Sequence, residues 1–328
     1  MRAWQALAQG EPEKVLSLAE IPVPEPGPGQ MLVRVRAAAL NFPDVLLCRG
    51  DYQIRPELPF TPGVELCGEV TAVGDGVDPG RVGSRVIGNP VLPHGALADF
   101  TLMHTAEAFD APESLDDAEA AALHIAYQTA WFALHRRAGL KPGETVLVHA
   151  AAGGVGSATV QLAKAAGARV IGVVGGPEKA QVARELGADL VVDRTTEDFV
   201  GAVKEATGGR GADVVFDPVG GAAFAGSTKC IAFEGRIVVV GFAGGTVPAP
   251  PLNHALVKNY SILGLHWGLY KLRDPASIVA AHEELCALAD QGVVKPLISE
   301  RVGLERAPEA LAALGAGSTT GRVAVLLG

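Results

Sequence analysis

The residues with the clearest chemical use lie in one short stretch, "HAAAGGVGSA" (His149–Ala158). It follows the apolar run "ETVLV" (Glu144–Val148) and leads into the amphipathic "TVQLAKAAG". Aligned as Ala151-x-Gly153-x-x-Gly156, it is a G-x-G-x-x-G fingerprint with alanine in place of the first glycine. In such a turn Gly153 lets the backbone approach a pyrophosphate, and Gly156 lets the new helix pack closely on the strand. The N–H groups of Gly154, Val155 and Gly156 then face the anion from the helix N-terminus. The chemistry of the stretch is dinucleotide binding. A glycine-rich strand-to-helix turn also serves as a plain connector, but its setting inside a βαβ unit favours the phosphate reading.

The second strand speaks to which dinucleotide. A site for NAD places a carboxylate about 20 residues on, against the ribose 2′-hydroxyl. Here the corresponding strand ends at Gly175 in "VVGGPEK", with no acid. That leaves room for a 2′-phosphate. Lys179 opens the next helix, and Arg194 follows the third strand in "LVVDRTT". Each alone is also an ordinary solvated charge; with the acid missing, the two point to NADPH.

These residues need a frame, and the chain's rhythm supplies two. Up to residue 124 short apolar runs such as "QMLVRVRAAAL" and "LCGEVTAVG" are broken by Gly and Pro, the pattern of a β-rich, barrel-like domain. "SLDDAEAAAL" then opens a helix, with Ser114 expected as its N-cap. Across 125–262 strands alternate with amphipathic helices. The expected strands are Thr145–His149, Arg169–Val174, Leu190–Val192, Asp213–Phe216 and Gly235–Val240. Such βαβ periodicity implies a parallel sheet covered on both faces. From 263 to 328 the chain is expected to return to the first domain, its last apolar strand, "GRVAVLLG", joining that domain's sheet.

Composition narrows the function classes. The chain has 328 residues, 48% of them hydrophobic, enough for two cores. A net charge of −9 disfavours a general nucleic-acid or anionic-membrane surface. Four scattered cysteines, none in a C-x-x-C pair, give neither a disulfide framework nor a zinc knuckle. No apolar run reaches the roughly 18 residues of a membrane span. A cytoplasmic enzyme with a small-molecule substrate is expected.

The segments "AALNFPDVLLCRGDYQIRPELPFTPGVELCGEVTAVG", "HAAAGGVGSATVQLAKAAGARVIGVV" and "DVVFDPVGG", in that order, resemble the quinone oxidoreductase (zeta-crystallin-like) branch of the medium-chain dehydrogenase/reductases. The resemblance runs nearly end to end. It implies a Rossmann-type doubly wound parallel sheet domain inserted in a GroES-like β-rich catalytic domain, NADPH as hydride donor, and a homodimer or homotetramer. Zinc-dependent members carry Cys where this chain has Asn41, and Gly-His-Glu where it has Gly63-Val64-Glu65. With Cys and His both replaced, no metal is expected. Glu65 and Asp44 are then expected to hold the loop by hydrogen bonds.

A quinone or activated alkene delocalises the charge that hydride brings, so positioning and a few hydrogen bonds suffice without a Lewis acid. The resemblance puts Asn41 at the nicotinamide ribose and substrate; an Asx turn before Phe42-Pro43 is its structural alternative. Tyr52 lies at the offset where related enoyl-thioester reductases carry a tyrosine thought to supply a proton, or else it only shapes the rim. Thr129 matches a position beside the nicotinamide, or bonds its own helix backbone. Gly241-Phe242 ends a strand at the ligand-binding edge and is expected to meet the carboxamide. Trp267 is either a wall for a planar acceptor or core. Arg322 matches a basic position near the cofactor phosphates, or lies on the surface. His124, His149 and His266 have no paired acid at readable spacing and stay unassigned. Three functions are open: a quinone or enone reductase, an enoyl-thioester reductase, and an NADPH-binding protein with little turnover.

Overall fold

A computed structural model describes all residues, Met1–Gly328. Its strands in chain order are β1 (Arg2–Ala6), β2 (Leu16–Glu20), β3 (Gln30–Ala39), β4 (Leu66–Val73), β5 (Arg85–Gly88), β6 (Phe100–His104), β7 (Ala108–Asp110), β8 (Thr145–His149), β9 (Arg169–Val174), β10 (Leu190–Asp193), β11 (Ala212–Asp217), β12 (Ile231–Val239), β13 (Ser261–Gly264), β14 (Ile298–Gly303) and β15 (Arg322–Leu326). They fall into two compact units, Met1–Ile125 with Cys286–Gly328, and Ala126–Leu285.

The first unit is built on a seven-stranded sheet, ordered β14-β15-β3-β4-β5-β7 with β6 also on β3. Along β3, Met31, Val33 and Val35 alternate with more exposed neighbours and bury against Leu66, Val70 and Val86. This period-two pattern fits a sheet with one face on the core. The C-terminal strand β15 lies antiparallel to β3, with Ala324 opposite Ala39, and brings Val323 and Val325 into the same core. The return of "GRVAVLLG" to the first sheet is thus observed.

The second unit is a six-stranded parallel sheet in the order β10-β9-β8-β11-β12-β13. The order reverses between β8 and β11, the switch point where doubly wound sheets bind ligands. β8 is buried at every position and β9 at all but its first, as expected of strands covered on both faces. Helices Gly154–Ala165, Pro177–Glu185, Phe199–Ala206 and Gly221–Cys230 make the crossovers.

Two expectations are corrected. The helix Asp117–Ala121 is capped by Asp116, not Ser114. Asp116 Oδ1 accepts from Glu119 N–H at 2.9 Å while the Glu119 carboxylate takes Asp116 N–H at 3.2 Å. Such a reciprocal box needs an acid three residues on. Ser114 would have to use Asp117, which is bound to Arg85 at 2.8 Å. The chain also leaves the second unit at Leu285, not at 262. β13 completes the parallel sheet beside β12, and the helix Pro275–Asp290 is tied to the helix His124–Trp131. Gln128 Nε2 donates to Ile278 O at 3.2 Å, and Trp131 Nε1 to Glu284 at 2.9 Å.

Candidate functional site

Within the second unit, the glycine turn leaves the carboxyl end of β8 and becomes the helix Gly154–Ala165, with Gly153 at its N-cap. A Cβ at Gly156 would lie 2.0 Å from Ala150 O, so no side chain fits there. The left-handed residue of the turn is Ala150 (φ 50°). Ala151, in the place of the first fingerprint glycine, is fully buried, and its methyl points at Gly172 of β9, where a Cβ would lie 2.9 Å away. The glycine missing from the turn is matched by one on the neighbouring strand. First-turn N–H groups of Gly154, Val155 and Gly156 have no partner within the helix, as at any helix start, and a helix start of this kind suits an anion.

Next to it, β9 ends at Gly175. A Cβ there would meet Arg194 Nη2 at 3.0 Å, so the guanidinium lies across the place an NAD-binding acid would take. Burial lowers the pKa of Lys179, and the charge of Arg194 lowers it further. Two cations therefore face one region. Asp193 is near in sequence, but its Oδ1 is taken by Gly176 N–H at 2.9 Å, Thr195 N–H at 3.0 Å and Thr195 Oγ1 at 2.7 Å. These donors hold its pKa below the ordinary carboxylate range.

At the ends of β11 and β12 the edge continues. Asp217 is fully buried and its Oδ1 accepts from Val219 and Gly220 N–H, both at 2.9 Å. The half-exposed Phe242 ring packs over Gly220, and Gly241 beside it approaches Pro218 O. Thr129 is buried on the helix His124–Trp131. Trp267, expected as a possible wall, is buried, with its indole N–H on Gln128 Oε1 at 3.1 Å. That is the hydrogen-bonded core tryptophan of the alternative reading. His149 is buried with Nε2 2.8 Å from Ser227 Oγ, and burial pushes its pKa down to about 4 against the pull of Asp217.

Within the first unit, Asn41 precedes the helix Phe42–Arg49 and is 5% exposed. Its N–H donates to Asp44 Oδ2 at 2.8 Å, and its Nδ2 donates to Ala39 O and Glu65 Oε2, both at 2.9 Å. Asp44 Oδ1 also takes Gly63 N–H at 2.9 Å. Burial pushes the Asp44 carboxyl up to about 7, opposed by the N–H groups of Asn41, Gly63 and Val64 and by Arg322. Tyr52 packs against the buried cluster of Ala6, Leu47 and Phe60. Its phenol is raised by burial and then by Asp44, so it remains protonated at neutral pH.

Arg322, expected near the cofactor phosphates, is instead 4% exposed and ion-paired with the fully buried Glu65. A buried guanidinium needs such a carboxylate. The buried knot Asn41–Asp44–Glu65–Arg322 went unseen as a unit in the sequence, although hydrogen-bonding roles for Asp44 and Glu65 were expected.

Residues 27–113 match the sequence model "Alcohol dehydrogenase GroES-like domain", and 154–281 match "Zinc-binding dehydrogenase". The chain is 42% identical over 301 residues to the "Quinone oxidoreductase-like protein 2 homolog" of Nematostella vectensis, covering 91% of this chain and 82% of that one. It is 34% identical over 302 residues to a mycocerosic acid synthase-like polyketide synthase of Mycobacterium tuberculosis, 91% of this chain but 14% of that one. The structure of Escherichia coli quinone oxidoreductase complexed with NADPH superposes with a TM-score of 0.92 at 31% identity, covering 100% of both chains. A catalytic zinc needs three protein ligands. No three His, Cys, Asp or Glu side chains of this chain come together, and Asp44 and Glu65 are committed to protein donors. The residues present do not fit zinc.

Proposed function

The chain belongs to the zinc-independent quinone oxidoreductase branch of the medium-chain dehydrogenase/reductase superfamily, and from that premise we propose an NADPH-dependent reductase that passes hydride to a quinone or similar conjugated carbonyl compound. The observation that carries the reading is Arg194 lying across the acid-free Gly175 with Lys179 beside it. The residues fit the dinucleotide: the Gly153–Gly156 turn for the pyrophosphate, the two cations for the 2′-phosphate, and the Gly241-Phe242 edge for the carboxamide. When bound, the dihydronicotinamide supplies the hydride. The protein's part is to orient both partners, and a quinone spreads the arriving charge over its own ring. Tyr52, protonated, is the donor for an acceptor oxygen that needs one.

The match to a segment of a mycocerosic acid synthase-like polyketide synthase favours a second reading, as an enoyl-thioester reductase. Steady-state turnover with NADPH and either a quinone or crotonyl-CoA separates the two. Quinone-dependent turnover with negligible crotonyl-CoA reduction is expected; the reverse selects the second reading, and no turnover with either removes both.

We also propose a homodimer formed by a second copy on the free edge of β13. Ile262 on that strand and Leu252, Leu256 and Val257 on the helix Leu252–Lys258 are exposed apolar groups on the same unit. An open strand edge of this kind is a template for pairing. Sedimentation at the monomer mass contradicts it.

A further inference from the structure

At the amino ends of β11 and β12 the second unit has a cavity of about 290 Å³, lined by Gly211 and Ile231 where those strands begin. A doubly wound sheet takes its dinucleotide at the carboxyl ends of the strands, so this cavity is no part of the cofactor site. Lys204, Lys229 and Lys258 stand around it, each from the last turn of its helix, in Phe199–Ala206, Gly221–Cys230 and Leu252–Lys258. No carboxylate lines it. A lysine in a last turn answers its own helix dipole, which accounts for each cation singly. It does not account for three meeting at one concavity of a chain whose net charge is −9. Lys258 Nζ donates to Thr228 O at 2.8 Å and Lys229 O at 3.3 Å, covering carbonyls that would otherwise repel an anion. Burial lowers its pKa, and the charge of Lys204 lowers it further against the pull of Cys230. Lys204 and Lys258 therefore repel each other. The ammonium groups of Lys204 and Lys229 are exposed and have no acceptor in the chain. Asp198, whose charge reaches Cys230, is committed to its own helix, where it accepts Val200 N–H at 3.0 Å and Gly201 N–H at 3.1 Å.

An apolar group completes the lining. Phe233 is 70% exposed, a large ring left in water beside three cations. Lysine ammonium groups bind phosphate as point charges, and a dianion between Lys204 and Lys258 would relieve their repulsion. We propose that this cavity is a second anion site, which takes a small soluble phosphate monoester with its phosphate on the three lysines and its carbon portion against Phe233. The site is separate from the Lys179 and Arg194 pair, and its occupancy does not depend on the reduction proposed above.

The probe is phenyl phosphate, titrated calorimetrically into the full chain in the presence of NADPH. Wild type is compared with Lys204→Ala/Lys229→Ala, Phe233→Ala and Lys179→Ala/Arg194→Ala. Lys204 and Lys229 lie on neither β13 nor the helix Leu252–Lys258, so their removal spares the proposed dimer face. Wild type should bind one phenyl phosphate per chain at millimolar concentration or below. Loss of the two lysines should weaken it about 10- to 30-fold, the upper worth of two exposed ion pairs. Phe233→Ala should bring phenyl phosphate down to the affinity of inorganic phosphate, which has no ring to place. Lys179→Ala/Arg194→Ala should bind phenyl phosphate as the wild type does. Unchanged affinity in the Lys204/Lys229 variant or in Phe233→Ala overturns the proposal, as does a loss confined to the Lys179/Arg194 variant. Absence of saturable binding to the wild type also overturns it. So does binding to phosphatidic acid vesicles with none to phenyl phosphate, since the lysines would then face a lipid surface.

Discussion

Replacing Lys179 and Arg194 together by alanine should abolish the preference for NADPH while leaving NADH binding nearly intact. The structure sets the size of the effect. Arg194 lies within 3.0 Å of where a Gly175 side chain would begin, and its charge depresses the pKa of half-buried Lys179. A dianionic phosphate held between the two would relieve their repulsion as well as bond to both. A hydrogen bond to a charged partner contributes about 1.5–3 kcal/mol, while an exposed ion pair brings about 1 kcal/mol or less. Taking the lower end for Lys179 and the surface value for exposed Arg194 gives about 2.5 kcal/mol, of order 10²-fold in affinity. Fluorescence titration of wild type and double variant with each cofactor measures it. The wild type should favour NADPH by about that factor, and the variant should bind both alike. Raising ionic strength should remove part of the wild-type preference, because the contacts are near the surface. Equal affinity of the wild type for NADH and NADPH would refute the inferred phosphate pocket, as would a variant that keeps its preference.

Three other outcomes are expected. Tyr52→Phe should slow reduction of an enone or enoyl thioester by roughly 10²-fold, the lower end for a positioned general acid, and slow quinone reduction far less, since a reduced quinone takes its protons from water; equal small effects in steady-state assays would make Tyr52 a wall residue. Metal analysis should find far less than one zinc per chain, and strong chelators should leave turnover unchanged; stoichiometric zinc with chelator-sensitive activity would overturn the metal-free account. His149, held at about 4 against an ordinary 6.5, is protonated in the unfolded chain before the folded one, so its contribution is complete above about 6.5 and is lost as pH falls towards 4. Burial raises the Asp44 carboxyl to about 7, which stabilises the fold as pH falls through the same window and opposes this loss, so the His149 effect is read as a difference between proteins. From pH 7 to 5.5 the wild type should lose about 1.4 kcal/mol relative to His149→Asn in denaturant unfolding, for one pH unit of this window; an unchanged difference between the two would place the acid sensitivity elsewhere.

How much of this was legible in the sequence follows from which forces act locally. β8 and β9 begin and end at the residues their apolar runs mark, because strands buried on both faces have sharp compositional edges. The glycine turn was legible for the same reason, its neighbours on the chain being its neighbours in space. Compensation for Ala151 was not, since Gly172 meets it only through strand pairing. The Ser114 cap failed because Asp116 closes a reciprocal box with Glu119, a pairing that shows only once the side chains are placed. Arg322 was misplaced for a longer-range reason. Its partner Glu65 lies 257 positions away, and only β15 joining β3 puts the end of the chain in that core. Trp267 likewise reads as a candidate wall until Gln128, on a distant helix, is seen to hold its indole.

The most direct test of hydride transfer is a single-turnover experiment. Enzyme pre-loaded with NADPH, deuterated or not at the transferred position of nicotinamide C4, is mixed rapidly with a quinone, and the loss of dihydronicotinamide absorbance is followed. The account predicts enzyme-dependent oxidation that requires the quinone, slows on deuteration, and is unaffected by prior treatment with a chelator. Oxidation absent with quinone, or proceeding at the same rate with both isotopes, would contradict it.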